Sequence, residues 1–132
     1  MSLTVTLSFR WPMGHRILGL PGAEKCENVH GHNWQADIEL PNDDGVLEFG
    51  IVKSLVGDWI EHNWDHGFLI EWSDPFREWL QSHEMKHDAL PVPPTTEAIA
   101  AELARKTAEL VGRPPVRVHV TEGWRNAATW TP

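Results

Sequence analysis

The sequence predicts an α+β fold in which a four-stranded antiparallel sheet carries two helices on one face, in the order ββααββ. Four stretches alternate apolar and polar residues, as half-buried strands do. Two longer stretches repeat apolar residues about every four positions, as amphipathic helices do. An order of paired strands flanking two helices is typical of helices that cover one face of an antiparallel sheet.

The first two strands are predicted at 3–11 and 34–40, where apolar and polar side chains alternate. The segment "PNDDG" at 41–45 then turns the chain. A long loop joins the two strands, and antiparallel pairing would bring the end of the first beside the start of the second.

The first helix is predicted at 51–60 and the second from Thr95 or Thr96 to Gly112. Either threonine can cap the second helix, and Gly112 followed by Pro114 stops it. A short helix is expected after Asp74 and Pro75. Valines alternating at 116–120 predict the third strand, and "NAATW" at 126–130 predicts the fourth.

Length and composition indicate one domain, 1–132, of an ordinary globular protein. The net charge of −8 argues against nucleic-acid binding, because duplex affinity depends on clustered lysine and arginine. No apolar run approaches the roughly 18 residues of a membrane span. A single cysteine suits a reducing compartment, so a cytoplasmic protein with no membrane partner is expected.

The segment "CENVHGH" at 26–32 carries the most informative spacing in the chain. His30 and His32 are two residues apart in an extended segment, so their imidazoles point to the same side. His15 ends the first strand and would lie beside them. Three nitrogen ligands with an open fourth position are typical of catalytic zinc, whereas structural zinc usually takes four protein ligands.

Cys26 has three interpretations that its spacing leaves open. It is a fourth metal ligand, a thiolate that exchanges a proton with a bound substrate, or a small buried apolar residue. Two further groups of residues, Asp65-His66 and Glu122, are either part of a reactive site or ordinary solvent-exposed side chains. Asp65 and His66 are adjacent and suit a proton relay, and the Glu122 carboxylate suits the amino edge of a heterocycle.

Taken together, these residues resemble the 6-pyruvoyl-tetrahydropterin synthase and 6-carboxytetrahydropterin synthase family of the tunnelling fold. The resemblance spans roughly residues 3–130. Its matching pieces occur in the family's order: His15, Cys26 eleven residues later, the C-x-x-x-H-G-H run, "GVLEF", Asp65-His66, "PTTE" at 94–97 and Glu122.

The resemblance implies a role for each matching residue. Zn²⁺ would be held by His15, His30 and His32, with Cys26 as the acid/base group and Asp65 and His66 as the rest of the proton relay. Glu122 would anchor the pterin, with Thr95 and Thr96 also binding substrate.

The reaction implied by the resemblance is a zinc-dependent lyase reaction on 7,8-dihydroneopterin triphosphate. The favoured product is 6-carboxy-5,6,7,8-tetrahydropterin, formed with acetaldehyde and triphosphate on the route to 7-deazaguanines such as queuosine. One alternative is a 6-pyruvoyl-tetrahydropterin synthase, which releases triphosphate. The other is a non-catalytic, zinc-stabilised pterin-binding homologue.

The family also implies a homo-oligomer, a trimer or hexamer whose strands close into a barrel with sites between subunits. Closure would remove the exposed edges of a short sheet. Two departures from the family stand out. Glu48-Phe49 replaces an Asp-Phe pair. The long stretch 67–91 is expected to be a loop, interrupted by the short helix, that reshapes the pocket or changes the substrate.

Overall fold

The fold is organised around one mixed sheet of six strands, in the order β4-β3-β1-β2-β5-β6. The structure is a computed structural model and describes residues 2–132. The strands are β1 (Thr4–His15), β2 (His30–Pro41), β3 (Gly67–Glu71), β4 (His87–Leu90), β5 (Arg117–Glu122) and β6 (Asn126–Trp130). The helices are α1 (Phe49–Asn63), α2 (Phe76–Ser82) and α3 (Thr96–Val111).

The longest pairing joins β1 and β2 over twelve residues, with Thr4 opposite Pro41 and His15 opposite His30. Residues directly opposite each other share a face of the sheet. One face carries buried residues that pack against α1 and α3. The main core members are Leu7, Trp11, Trp34, Ala36, Ile38, Leu40, Val52, Val56, Ile60, Ile99, Leu103, Val118 and Val120.

The two long helices begin at side-chain caps. Thr95 accepts a hydrogen bond from the Ala98 amide at 3.1 Å, and α3 ends at Gly112 in the left-handed conformation, which confirms the predicted bounds of this helix. At α1 the cap is Glu48, whose carboxylate accepts from the amides of Gly50 and Ile51 at 2.9 and 3.1 Å. Glu48, unassigned from the sequence, is therefore a helix cap.

The α+β class is confirmed, but four strands in the order ββααββ is wrong. The stretch 67–91, expected to be a loop interrupted by one short helix, contains the strands β3 and β4 as well as α2, so the order is ββαβαβαββ. Both additional pairings, β1 with β3 and β3 with β4, are parallel, so the sheet is not purely antiparallel. Strands of five and four residues are too short to give a clear alternation in sequence.

The prediction of two helices on one face holds for α1 and α3, and the short helix predicted after Asp74 and Pro75 is confirmed as α2. Leu69 of β3 belongs to the core under α1 and α3, whereas Phe68 points to the other face and contacts Phe76 of α2, with ring centroids 5.9 Å apart. Helix α2 therefore lies on the opposite face of the sheet.

An ion pair fixes α2 to the end of β1. Asp74 is only 4% exposed, and its carboxylate accepts from the Arg16 guanidinium, with Nε to Oδ2 at 2.8 Å. The same carboxylate accepts a hydrogen bond from the amide of Phe76, the first residue of α2, at 2.8 Å. The Arg16 hydrogen bond is the main cause that lowers the pKa of Asp74.

Among residues 2–132, no helix combines the length and the apolar character that a bilayer crossing requires.

Asp74→Asn is expected to lower the free energy of unfolding by about 2 kcal/mol at pH 7, because hydrogen bonds to a buried charged group are lost. The pKa of Asp74 is lower in the folded state, so the wild type's advantage is fully present above the ordinary pKa of 3.8 and is lost as the pH falls through the folded-state value. Urea unfolding across this pH range measures the effect. Glu109→Gln, at an exposed ion pair of α3, is the control and should cost less than about 1 kcal/mol. Equal costs for the two variants would contradict the prediction.

Candidate metal centre

Three imidazoles converge where the β1–β2 ladder ends. His15 lies opposite His30, and His32 lies opposite Met13, so all three histidines are on the face that carries the core. The ring centroids are separated by 4.6 Å for His15 and His30, 5.2 Å for His15 and His32, and 4.9 Å for His30 and His32. The expected juxtaposition of the three histidines is therefore present.

Glu122 completes the cluster from the neighbouring strand. It ends β5 opposite Trp34, and one ligand atom from each of His15, His30, His32 and Glu122 lies within 4.8 Å of the others. The Glu122 carboxylate also accepts a hydrogen bond from the Thr96 hydroxyl at 2.8 Å. The start of α3 thus fixes one carboxylate oxygen while the other faces the histidines.

Backbone carbonyls set the orientation of two of the imidazoles. His15 Nδ1 lies 2.9 Å from the Pro94 carbonyl oxygen, and His30 Nδ1 lies 2.6 Å from that of Asn28. A carbonyl only accepts, so each Nδ1 carries a proton, and in the neutral ring the Nε2 keeps a free lone pair. This is the usual arrangement of metal-binding histidines.

The free nitrogens are buried without hydrogen-bond partners. His15 Nε2 and His32 Nε2 both lack one. Glu122 Oε1 is 2.6 Å from His32 Nε2, yet the contact lacks the alignment of a hydrogen bond. A buried polar atom without a hydrogen-bond partner lowers the stability of the folded protein. Two such nitrogens pointing into one cluster indicate a place where a metal ion would supply the missing partner. The residues present therefore fit a metal ion.

Burial favours the neutral imidazoles that a metal needs. Desolvation is the largest cause that lowers the pKa of His15, and the hydrogen bond to Pro94 offsets it only in part. Desolvation likewise lowers the pKa of His32, against the opposing effect of the Glu122 carboxylate. Both rings are consequently available as ligands at neutral pH.

Cys26 lies near this centre in the chain but is not a member of the cluster. It is half-buried in a short 3-10 helix at Glu24–Glu27 within the β1–β2 connection, and its carbonyl accepts from the Ile17 amide at 2.8 Å. The fourth group beside the imidazoles is the Glu122 carboxylate, which spacing alone did not indicate because Glu122 is ninety residues from His32 along the chain. The two possible substrate threonines also differ, since the Thr95 hydroxyl caps α3 and only Thr96 contacts Glu122.

Asp65 and His66 form a pair in the turn between α1 and β3. His66 Nδ1 lies 2.6 Å from Asp65 Oδ1, and the His66 side chain is 80% exposed. His66 lines a cavity of about 550 Å³ whose wall also includes the candidate metal ligands His30 and His32, together with Gly14 and Phe68. Within residues 2–132, no hydrogen bond or ion pair links this pair to the histidine cluster.

The fold and this cluster define an α+β protein with a candidate metal site at the end of its longest strand pair. Residues 4–132 match the family described as 6-pyruvoyl tetrahydropterin synthase. The chain therefore belongs to the 6-pyruvoyl tetrahydropterin synthase family.

Curated relatives and solved structures resemble the chain over most of its length. It is 34% identical over 127 residues to the probable 6-carboxy-5,6,7,8-tetrahydropterin synthase of Halobacterium salinarum, covering 90% of this chain and 79% of the relative. It is 32% identical over 105 residues to the 6-carboxy-5,6,7,8-tetrahydropterin synthase of Rickettsia bellii, covering 74% and 75%. The 6-pyruvoyl tetrahydropterin synthase of Caenorhabditis elegans has the same fold, with a TM-score of 0.73 at 19% identity over 100% of this chain and 96% of that one.

His32→Ala is expected to weaken zinc binding by more than about 100-fold, because losing only a hydrogen-bond partner of a ligand already costs about 10–100-fold. Zinc content after dialysis against a competing chelator, measured by elemental analysis, tests this. His62→Ala, on the exposed side of α1, is the matched control and should keep wild-type zinc. Cys26→Ala should also keep its zinc. Zinc loss in Cys26→Ala would instead favour a closed structural site with the cysteine as a ligand.

Proposed function

We propose that this protein is a zinc-dependent lyase that converts 7,8-dihydroneopterin triphosphate to 6-carboxy-5,6,7,8-tetrahydropterin, with release of acetaldehyde and triphosphate. The observation that carries the proposal is the convergence of three imidazoles beside a carboxylate fixed by Thr96. The names of the curated relatives favour the 6-carboxy product. Nitrogen ligands and an open position favour zinc.

The proposed mechanism assigns the metal to His15, His30 and His32. Zinc bound there would act as a Lewis acid toward the hydroxyl groups of the substrate side chain. The carbonyls of Pro94 and Asn28 keep the His15 and His30 rings oriented, so these ligands need no rearrangement when substrate arrives. Trp34, buried with its indole edge-on to His15 and His32, excludes water from the side of the core.

Glu122 is proposed to anchor the pterin ring. A carboxylate accepts two parallel hydrogen bonds from the amino and ring N–H groups of an amino-pyrimidine edge. The Thr96 hydroxyl holds one carboxylate oxygen at 2.8 Å and so orients the other. Pterin binding at Glu122 would place the substrate side chain at the adjacent metal.

Cys26, Asp65 and His66 are proposed to move protons. Cys26, in the loop that connects the two ligand-bearing strands, would exchange a proton with carbon atoms of the substrate side chain. Asp65 holds the imidazole of His66 by its 2.6 Å contact and so fixes the tautomer that accepts or donates. Because no hydrogen bond or ion pair among residues 2–132 joins this pair to the histidine cluster, we assign it to the site of a neighbouring copy in a homo-oligomer.

Oligomerisation has a separate physical reason. Strands β4 and β6 are the outermost strands of the sheet and leave backbone groups unpaired. Pairing of edges between copies would satisfy these groups, close the sheet into a barrel and place the sites between subunits. A trimer, or a hexamer made of two trimers, is proposed on this basis.

Incubation of the zinc-loaded protein with 7,8-dihydroneopterin triphosphate tests the proposed reaction. The expected products are 6-carboxy-5,6,7,8-tetrahydropterin, identified by mass, and an equimolar amount of acetaldehyde. Cys26→Ala should retain zinc and fold but lose turnover. Formation of 6-pyruvoyl-tetrahydropterin without acetaldehyde would assign the second product instead, and pterin binding without turnover would indicate a binding protein.

Glu122→Gln is expected to weaken pterin binding by about 100-fold, roughly 3 kcal/mol, because the amide can no longer accept two charge-assisted hydrogen bonds. Titration with a non-reactive pterin, followed by tryptophan fluorescence, measures this. Zinc content should stay near the wild-type value, as three imidazoles remain. Zinc loss with unchanged pterin affinity would make Glu122 a metal ligand and contradict its role as anchor.

A further inference from the structure

A lysine from the segment between β3 and β4 binds the turn that carries Asp65 and His66. Lys86 Nζ donates to the carbonyl oxygen of Glu61 at 2.6 Å and to that of Asp65 at 2.5 Å. Glu61 lies in the last turn of α1, and Asp65 immediately precedes His66. One ammonium group thus joins the end of the helix to the proposed proton relay.

The turn held by Lys86 has an unusual backbone. His66 has a φ of +62°, in the left-handed region that residues other than glycine rarely adopt. Such conformations persist where the surroundings fix them, and they are frequent at functional sites. The last carbonyls of a helix lack intrahelical partners, and a cation there also interacts favourably with the helix dipole. The Lys86 ammonium supplies both a hydrogen-bond donor and a positive charge at the end of α1, and one of the carbonyls that it binds belongs to Asp65, the residue before His66.

The main chain and the stem of Lys86 hold the same turn from the other side. The Phe68 amide donates to the Lys86 carbonyl at 3.1 Å. A Cβ at Gly67 would lie 3.1 Å from Lys86 Cγ and 3.2 Å from its carbonyl oxygen, so Gly67 is in close contact with this residue. The His66 amide in turn donates to the Pro12 carbonyl at 2.9 Å. The turn is therefore fixed between β1 and Lys86.

We propose that Lys86 is a positioning residue for the acid/base pair Asp65 and His66, holding the turn in the geometry that the proton transfer needs. This inference rests on the proposed function, in which that pair moves protons. Neither Asp65 nor His66 loses a side-chain contact when Lys86 is changed, since the ammonium binds only backbone oxygens. The effect of Lys86 on catalysis would thus be transmitted through the backbone of the turn.

The test compares Lys86→Met with Lys53→Met. Methionine keeps an unbranched stem against Gly67 and removes the donors, and no buried charge is left unpaired because Lys86 is exposed. Lys53 is an exposed lysine of α1 for which the described residues offer no ion pair or hydrogen bond. Both variants change the net charge equally, so any general effect on an anionic substrate is the same in the two.

In Lys86→Met, kcat is expected to fall about tenfold while KM and zinc content stay at the values of Lys53→Met, because a misplacement of about 1 Å can cost up to about 100-fold in rate. Hydrogen exchange of the amides at 64–68, followed by mass spectrometry of the zinc-loaded protein, should be faster in Lys86→Met alone. This second measurement needs no turnover.

Two outcomes would overturn the inference while leaving the proposed function intact: a kcat in Lys86→Met within twofold of that in Lys53→Met, or exchange at 64–68 that does not differ between the variants. A wild-type protein that binds zinc but forms no product would contradict the proposed function itself. In that case the inference about catalysis falls with it, even if the exchange data still show that Lys86 holds the turn.

Discussion

The pairing of β1 with β2 is the constraint on which both the core and the candidate metal site depend. Twelve residues of each strand pair in one register, without a bulge. This register sends Leu7 and Trp11 of β1, and Trp34 and Ile38 of β2, into the core. The same alternation sends His15, His30 and His32 to that face at the end of the ladder. A shift of the pairing register by one residue would have two consequences at once: it would expose the apolar side chains and it would move the imidazoles apart. The burial of the apolar residues therefore also specifies the geometry of the site.

Placing histidines where a core would otherwise continue has an energetic cost. His15 is 1% exposed, and its Nε2 has no hydrogen-bond partner. An unsatisfied buried nitrogen costs about 1–3 kcal/mol. Desolvation keeps the ring neutral, and the Pro94 carbonyl keeps its proton on the far nitrogen. Metal binding would satisfy the remaining lone pair of His15. A bound ion would therefore stabilise the folded protein relative to the metal-free form.

The sequence predicted those parts of the fold whose signals are local and repeated. The alternation of β1, β2 and β5, and the Thr95 cap and Gly112 stop of α3, needed no tertiary information. The strands β3 and β4 were missed because five and four residues are too few to show a clear alternation of apolar and polar side chains. The three histidines could be grouped from the sequence, because His30 and His32 lie on the same face of one strand and His15 ends the strand that pairs with it. The contact of Glu122 with His32 could not be predicted in this way, because it depends on how β5 pairs with β2.

The end of β1 connects the candidate metal site with the stretch 67–91. Gly14, His15 and Arg16 alternate in direction: His15 points to the metal cluster, while Arg16 points to Asp74 and so fixes α2 on the opposite face. At Gly14 a Cβ would lie 2.6 Å from the Phe68 ring, so a side chain there would displace this ring of β3. β3 in turn begins directly after Asp65 and His66, and Lys86 before β4 binds their turn. Three consecutive residues therefore connect a candidate metal ligand with β3 and α2. The start of the added segment, at Gly67 and Phe68, also lines the cavity that borders His30 and His32.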